Sequence, residues 1–161
     1  MTIHKPKNHQ QCAICCQPFF NHHTKIHFAA MQNGGVQGEI VATEAVQGYQ
    51  GVMQGGAISA LHDTAMTHCL FSQHVYAMTA QLDVRFIHPI PLNTLLRVEA
   101  ICTKHRRGLY LLESTIYVDD QCHSKAEAKF IRCASETATS DKTNLYSCHV
   151  NESRILPLQL S

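Results

Sequence analysis

A single segment of this chain carries a helical pattern of hydrophobic residues, and it limits the folds that the chain can adopt. Ile58, Leu61, Ala65 and Cys69 recur at intervals of three and four residues, which predicts one long helix over Gly55–Ser72. Extended segments precede and follow it. One helix cannot cover both faces of a six-stranded antiparallel sheet, so we expect it to pack on one face and leave the other to water or to another subunit.

The extended segments are separated by turn residues. Asn33-Gly34-Gly35 between the segments 26–31 and 38–46 predicts a β-hairpin. Segment 76–87 alternates strictly, with apolar side chains on one face and Thr79, Gln81, Asp83 and Arg85 on the other. Three further strands are predicted at 95–103, 109–118 and 122–132. The predicted order is strand, strand, helix and four strands.

Composition limits the possible partners. The 161 residues suit a single domain, and charged residues make up 16% of them, against about 25% in ordinary soluble domains. This shortage of charge favours burial of surface in a homo-oligomer. The thirteen Lys and Arg nearly cancel the twelve Asp and Glu, so the field that drives nucleic-acid binding is missing and no nucleic-acid partner is expected.

The cysteines and the first residues suggest a compartment. Eight cysteines would suit a disulfide framework in a secreted chain, but the first 11 residues are polar and basic and lack the apolar region of a signal peptide. No apolar run approaches the ~18 residues of a membrane span. A reduced, cytoplasmic protein with no membrane partner is the prediction.

The chain divides into three parts by pattern. We predict a lead-in containing Cys and His at 1–25, a domain at 26–133 and a C-terminal tail at 134–161. In the lead-in, Cys12-x-x-Cys15 with Cys16 and His22-His23 offers enough ligands for a structural zinc ion. One Cys pair is a weak signal, so free thiols and no metal are the expectation, with a zinc-binding scaffold as the alternative.

The start of the helix offers a site for an anion. The glycines at Gly55 and Gly56 leave unpaired backbone N–H groups with no side chain in the way, which suits a developing oxyanion. The alternative is that the glycines only permit a tight turn from strand to helix.

Asp63 is an unexpected residue inside the helix. It lies among apolar neighbours, where a carboxylate is a poor helix former and is costly to bury alone. As a general base or nucleophile it would suit attack on a carbonyl carbon, and the alternative is a solvent-facing position. Gly55 and Asp63 are separated by roughly 12 Å along the helix, too far to hold the same carbon atom, so such a site requires two subunits.

The sequence from Gly48 to Asp63, Gly-Tyr-Gln-Gly-Val-Met-Gln-Gly-Gly-Ala-Ile-Ser-Ala-Leu-His-Asp, resembles the signature of hotdog-fold acyl-CoA thioesterases of the PaaI type. The similarity extends over about 12–132 and includes Cys-x-x-Cys, the hairpin and Phe86-Ile87-His88-Pro89. It implies an α+β hotdog fold, an antiparallel β-sheet wrapped around one long central helix. It also implies hydrolysis of an acyl-CoA thioester by a homodimer, which can pair into a homotetramer, with no cofactor beyond the coenzyme A of the substrate.

The resemblance also implies roles for single residues. The Gly55 amide of one protomer would stabilise the oxyanion, and the Asp63 carboxylate of its partner would activate water or attack directly. Thr79 would orient the water or the carboxylate, and the alternative is an ordinary strand threonine. Gln54 stands where relatives carry His; its amide can position the loop but cannot change charge.

Two further contacts with substrate are predicted. Gly48 stands where some relatives have an Asn or Gln that polarises the thioester, so Gln47 or Gln50 would replace it, or the contact is absent. Arg106 and Arg107, in a basic hairpin tip, would meet the phosphates of coenzyme A, although such tips are usually only solvated.

Two other functions match parts of the sequence pattern. The departures at Gln54 and Gly48 leave a non-catalytic acyl-CoA-binding or sensing protein as the alternative from another class. Asp63 and His68 have a spacing similar to that of hotdog hydratases. Five residues place these side chains on different helix faces and the Asn-Pro of that motif is missing, so a hydratase is disfavoured.

Overall fold

The computed structural model describes residues 2–133, which contain one long helix and one six-stranded antiparallel sheet. The predicted tail at 134–161 lies outside the described residues. The elements are β1 (His27–Ala30), β2 (Val36–Val41), α1 (Gly55–Ser72), β3 (Ala77–Phe86), β4 (Leu95–Arg106), β5 (Leu109–Val118) and β6 (Gln121–Arg132), with 3₁₀ turns at Lys7–His9 and Glu44–Val46. The strand order is β1-β2-β4-β5-β6-β3. The predicted order of elements and the α+β class are confirmed.

Helix α1 is enclosed by the sheet. It contacts all six strands, so the curved sheet wraps around it instead of lying flat beneath it. Most of its side chains are therefore buried, including two histidines, and the buried residues are Ala57, Ile58, Leu61, His62, Thr64, Ala65, Met66, His68, Cys69, Leu70 and Phe71. The N-terminal segment adds Cys15, Cys16 and Phe20 to the same hydrophobic core.

Local turn chemistry sets the register of the hairpins. The β1–β2 turn follows the prediction: Gly34 has a φ of +83°, and Asn33 accepts a hydrogen bond from the Gly35 amide at 2.9 Å. Arg107-Gly108 and Asp119-Asp120 each place two consecutive residues at positive φ between paired strands. That is the backbone of type I′ turns, whose twist matches the twist of the strands.

Two predicted strand boundaries are wrong. β2 ends at Val41, not at residue 46, because the chain forms the 3₁₀ turn Glu44–Val46. β4 continues past residue 103 to Arg106, where it pairs with Leu109 across the turn. Tertiary pairing with β5 therefore extends the strand through a basic segment whose composition indicated a loop.

Strand β3 forms one edge of the sheet and pairs only with β6 among the described strands. Its pairing shifts between Thr79 and Gln81, which leaves Ala80 as an extra residue in a β-bulge. The predicted apolar face is not fully covered, because Met78 and Phe86 at its two ends are 45% and 54% exposed.

His62 lies in the core with both ring nitrogens bonded. The Ser124 hydroxyl donates to the Arg85 carbonyl at 3.0 Å, so its oxygen accepts a hydrogen bond from His62 Nε2–H at 2.8 Å. His62 Nδ1 then accepts from the Ser114 hydroxyl at 2.9 Å. The neutral ring is thus satisfied, and burial lowers the pKa of His62 to about 4.

His68 is a second buried imidazole on α1. It stacks on Phe28 with ring centroids 4.5 Å apart, and its Nδ1 lies 2.9 Å from the Thr64 carbonyl, to which it donates. Nε2 has no hydrogen-bond partner within residues 2–133. Burial lowers the pKa of His68 to about 4, so this ring is also neutral in the folded protein.

These histidines predict a loss of stability in acid. Their pKa falls from 6.5 unfolded to about 4 folded, so the unfolded chain binds more protons across this window and the free energy of unfolding falls as the pH drops through it. His68→Phe, which keeps a ring in the aromatic cluster, should flatten this slope in urea unfolding curves by up to about 1.4 kcal/mol per pH unit. His27→Asn, at an exposed position, is the control. If the free energy of unfolding of His68→Phe falls as steeply with decreasing pH as that of the wild type, the lowered pKa of His68 is contradicted.

Candidate active site

Asp63 and Thr79 form a hydrogen-bonded pair between α1 and β3. The Thr79 hydroxyl donates to Asp63 Oδ1 at 2.6 Å. Asp63 is partly buried, so it faces the edge strand and not open solvent. Burial raises the pKa of Asp63, while the Thr79 hydrogen bond and the nearby charge of His9 lower it. The carboxylate is therefore held in place at one end of β3.

The start of α1 has two free amide groups. Gln54 is the N-cap, and its Oε1 accepts a hydrogen bond from the Ala57 amide at 2.9 Å. Within residues 2–133, the amides of Gly55 and Gly56 donate to no acceptor. A Cβ atom on Gly56 would lie 2.8 Å from Gln54 Oε1 and displace the cap. Glycine at this position thus protects the cap and leaves the amides open.

The Gln54 side chain caps the N-terminus of α1. Its side chain closes the first turn of the helix and satisfies one of the donors that a helix start leaves unpaired. The interpretation of Gln54 as a residue that positions the loop agrees with this contact, and no contact within the described residues links it to Asp63.

The loop before the helix contains the two glutamines expected near the substrate. The Gln47 side chain accepts a hydrogen bond from the Gly51 amide at 3.0 Å, so it is used to close the turn, in which Gly51 has a φ of +79°. Gln50 is exposed. Tyr49 beside it is 90% exposed, and the sequence analysis did not single it out. Of the two glutamines, Gln50 is the one whose amide is available to a ligand.

The two halves of the candidate site lie at opposite ends of β3. Thr79, near the start of the strand, contacts Asp63. Phe86, the last residue of the strand, lies against Gly55, with its ring 3.6 Å from the position that a Cβ atom would take there. The strand therefore runs antiparallel to α1, and Gly55 and Asp63 are separated within one chain by about 12 Å of helix.

Arg106 and Arg107 lie at the β4–β5 turn and are exposed. Neither forms an ion pair within residues 2–133, and no contact there joins them to Gly55 or Asp63. The structure of one chain does not bring these two cations to the other candidate residues.

His9 was not predicted as a site residue from the sequence. It is half-buried beside α1, with its ring edge-on to Phe71 at 4.9 Å between centroids. His22 and His23, the histidines considered with the cysteines, are both exposed and do not join them. The spacing His9-x-x-Cys12-x-x-Cys15 was the signal that could have identified it.

No helix within residues 2–133 combines the length and the apolar character needed to cross a bilayer.

Comparison with known proteins points to one superfamily. A sequence profile of the thioesterase superfamily matches residues 50–121, which include Gly55, Asp63 and Thr79. Acyl-coenzyme A thioesterase THEM4 of Rattus norvegicus is 33% identical over 89 residues, a match that covers 54% of this chain and 38% of the rat protein. The matched part is thus well under half the length of that relative.

Solved structures share the architecture. The PaaI protein of E. coli, from the phenylacetic acid degradation operon, has a TM-score of 0.64 at 18% identity, covering 68% of this chain and 80% of that one. A hypothetical thioesterase protein of Streptococcus pneumoniae, solved with coenzyme A, has a TM-score of 0.65 at 17% identity, covering 70% and 92%. At such identities the likeness concerns the fold. The chain thus has the hotdog fold of these structures, and the part of it that matches the thioesterase superfamily profile is a little under half of its length.

Proposed function

We propose that this protein hydrolyses acyl-CoA thioesters. The observation that carries the proposal is the placement of a hydrogen-bonded carboxylate at one end of an exposed edge strand and an open helix N-terminus at the other. A carboxylate of this kind activates water, and free amides stabilise an oxyanion. The names of the rat relative and of the coenzyme A-bound neighbour agree with this chemistry.

A two-fold dimer through β3 would complete the site. If two β3 edges pair antiparallel about a two-fold axis, the start of one strand lies beside the end of the other. Asp63 and Thr79 of one protomer then approach Gly55 of its partner, and the arrangement occurs twice. The outer edge of β3 has no pairing strand in the described part of the chain, and it supplies polar surface for such contact. The exposed Met78 and Phe86 supply apolar surface.

The reaction in this site would be a base-assisted hydrolysis. The Asp63 carboxylate takes a proton from water as the oxygen adds to the thioester carbon, and the carbonyl oxygen becomes an oxyanion at the Gly55 amide. The oxyanion then collapses, the C–S bond breaks, and the sulfur leaves as a thiolate that takes the proton back from Asp63. Direct attack by the carboxylate, giving an anhydride that water then hydrolyses, uses the same groups.

Substrate contacts extend from these groups. Phe86 and Ile87, which are 54% and 40% exposed, provide apolar surface next to Gly55 for an acyl chain. The Gln50 amide is available to the thioester or the pantetheine arm, and Gly56 adds a second free amide. Arg106 and Arg107 would bind the phosphates of coenzyme A if the assembly brings a hairpin tip to the cleft.

The alternative is an acyl-CoA-binding protein without turnover. Gln54, in the place where relatives carry His, is used as the helix cap and cannot exchange a proton. Tight binding of an acyl-CoA by the wild type, with no hydrolysis across a panel of chain lengths, would favour this function.

Removal of the Asp63 carboxylate is the first test of the proposed hydrolysis. Asp63→Asn removes the base and the nucleophile but keeps the size of the side chain, so kcat with the best acyl-CoA substrate should fall by about 10²- to 10⁴-fold. Asp120→Asn, at an exposed turn position, is the matched control and should retain wild-type kcat. Release of free coenzyme A, detected through its thiol, measures the kcat of both variants. An Asp63→Asn enzyme as fast as the wild type would eliminate this mechanism.

Thr79 should act by positioning Asp63 and tuning its pKa. The hydroxyl stabilises the charged carboxylate, so Thr79→Val should raise the pKa of Asp63 and move the acidic limb of the kcat/KM profile to higher pH. Thr79→Ser keeps the donor and should restore the wild-type limb. An acidic limb that stays in place in Thr79→Val would refute this role, whatever the loss in rate.

Mixing two inactive variants tests whether the site is shared. Gly55→Pro removes one amide at the first helical position, where proline is well tolerated, and Asp63→Asn removes the carboxylate. When the two variants are unfolded together and refolded, half of the dimers are mixed and carry one intact site each, so roughly a quarter of wild-type activity should return. Each variant refolded alone is the control. If the mixture stays as inactive as its components, the site is not composite.

A further inference from the structure

We propose that His9, Cys12 and Cys15 bind a zinc ion that fixes the N-terminal segment against α1. The Nε2 or Nδ1 atom of His9 and the two Sγ atoms all lie within 4.8 Å of one another. One imidazole and two thiols are the donor types that zinc prefers in proteins. The proposal is independent of thioester hydrolysis, because none of the three side chains belongs to the proposed catalytic groups.

The distances in the cluster suit a tetrahedral ion. With Zn–S bonds of about 2.3 Å and Zn–N bonds of about 2.0 Å, neighbouring ligand atoms stand roughly 3.5 Å apart for nitrogen and sulfur and 3.8 Å apart for two sulfurs. His9 Nε2 lies 3.4 Å from Cys15 Sγ, and Cys16 Sγ lies 3.7 Å from Cys15 Sγ. The His9–Cys15 edge of a coordination tetrahedron therefore already has the expected length, and the Cys16 thiol lies beside Cys15 at the spacing of a further edge.

The backbone holds the ligands in this arrangement. Residues 7–9 form a 3₁₀ turn, the Cys12 amide donates to the His9 carbonyl at 3.2 Å, and the Cys16 amide donates to the Cys12 carbonyl at 3.0 Å. These bonds place every third side chain on one side of a compact loop. The three side chains of the His-x-x-Cys-x-x-Cys sequence therefore converge in the fold as it stands.

The fourth position has two candidates. The Cys16 thiol, which donates to the His9 carbonyl at 3.3 Å, could turn to the ion, or water could fill the place. Lys5 donates to Cys16 Sγ at 3.7 Å and to the Cys15 carbonyl at 3.3 Å, so a cation is available to balance a third thiolate. Two thiolates and a neutral imidazole already neutralise the charge of Zn²⁺.

A reactive thiol is a poorer explanation of the cluster. The Cys15 side chain is fully buried, so its thiol is out of reach of an electrophile in solution. Cys12, Cys15 and Cys16 are all free of disulfides. Zinc would displace the thiol protons, and protons should be released when the metal binds.

Metal binding would fix the segment that leads into the domain. The His9 ring packs edge-on against Phe71 and lies 6.2 Å from the ring of His68, both on α1. An ion bound to His9, Cys12 and Cys15 would cross-link this loop where it contacts the helix. The expected role is structural, because zinc ions held by thiolates and imidazole chiefly contribute folding free energy.

Elemental analysis and cobalt substitution test the proposal on the whole 161-residue chain. Reduced wild type should contain about one zinc ion per chain and, after exchange, give cobalt–thiolate charge-transfer bands and the d–d bands of a tetrahedral site. Cys12→Ser and His9→Gln should lose most of the metal and these bands. His4→Gln and Cys122→Ser, outside the cluster, are matched controls and should retain both.

A measurement on the wild type covers the case in which a variant does not fold. Alkylation followed by mass spectrometry should show Cys12, which is partly exposed, protected by added zinc and released by a chelator, with Cys122 reacting equally in both states. A wild type that carries no zinc and gives no cobalt bands overturns the proposal. So do a Cys12→Ser protein that keeps its metal and a Cys12 that alkylates equally with and without zinc.

Discussion

The enclosure of α1 by the curved sheet is the constraint on which the rest of this structure depends. All six strands contact the helix, so nearly every helical position must be apolar or satisfied internally, as His62 is by Ser114 and Ser124. Polar chemistry is therefore confined to the places where the sheet does not close. These are the first turn, where Gly56 is exposed, and the side facing β3, where Asp63 meets Thr79.

Both openings lie along β3, so a partner that pairs with this edge strand would lie beside both. Within residues 2–133 the outer edge of β3 pairs with no strand, so it carries open N–H and C=O groups, and it also exposes apolar side chains at both ends. The low content of charged residues is consistent with surface that is covered in an assembly. A second copy would pair the edge, cover Met78 and Phe86, and bring the separated halves of the site together.

The sequence predicted what depends on local pattern. The bounds of α1 and the turns at Gly34 and Gly108 follow from periodicity and backbone preference, and all three agree with the structure. The β3 bulge and the approach of His9 to Phe71 did not follow, because each depends on contacts between residues distant in sequence. The motif before α1 carried the resemblance to the superfamily, but it contained no information about the use of Gln54 as a cap.

In the proposed mechanism, the opposed effects on the pKa of Asp63 suit a general base. A carboxylate that serves only to stabilise the fold gains from hydrogen bonds that lower its pKa, whereas burial raises the pKa of Asp63 and Thr79 offsets part of that rise. A general base needs this compromise: it must remain ionised at neutral pH yet have more proton affinity than an exposed aspartate. The bonded hydroxyl of Thr79 also directs Oδ1 toward the strand, so proton transfer would fall to the other carboxylate oxygen.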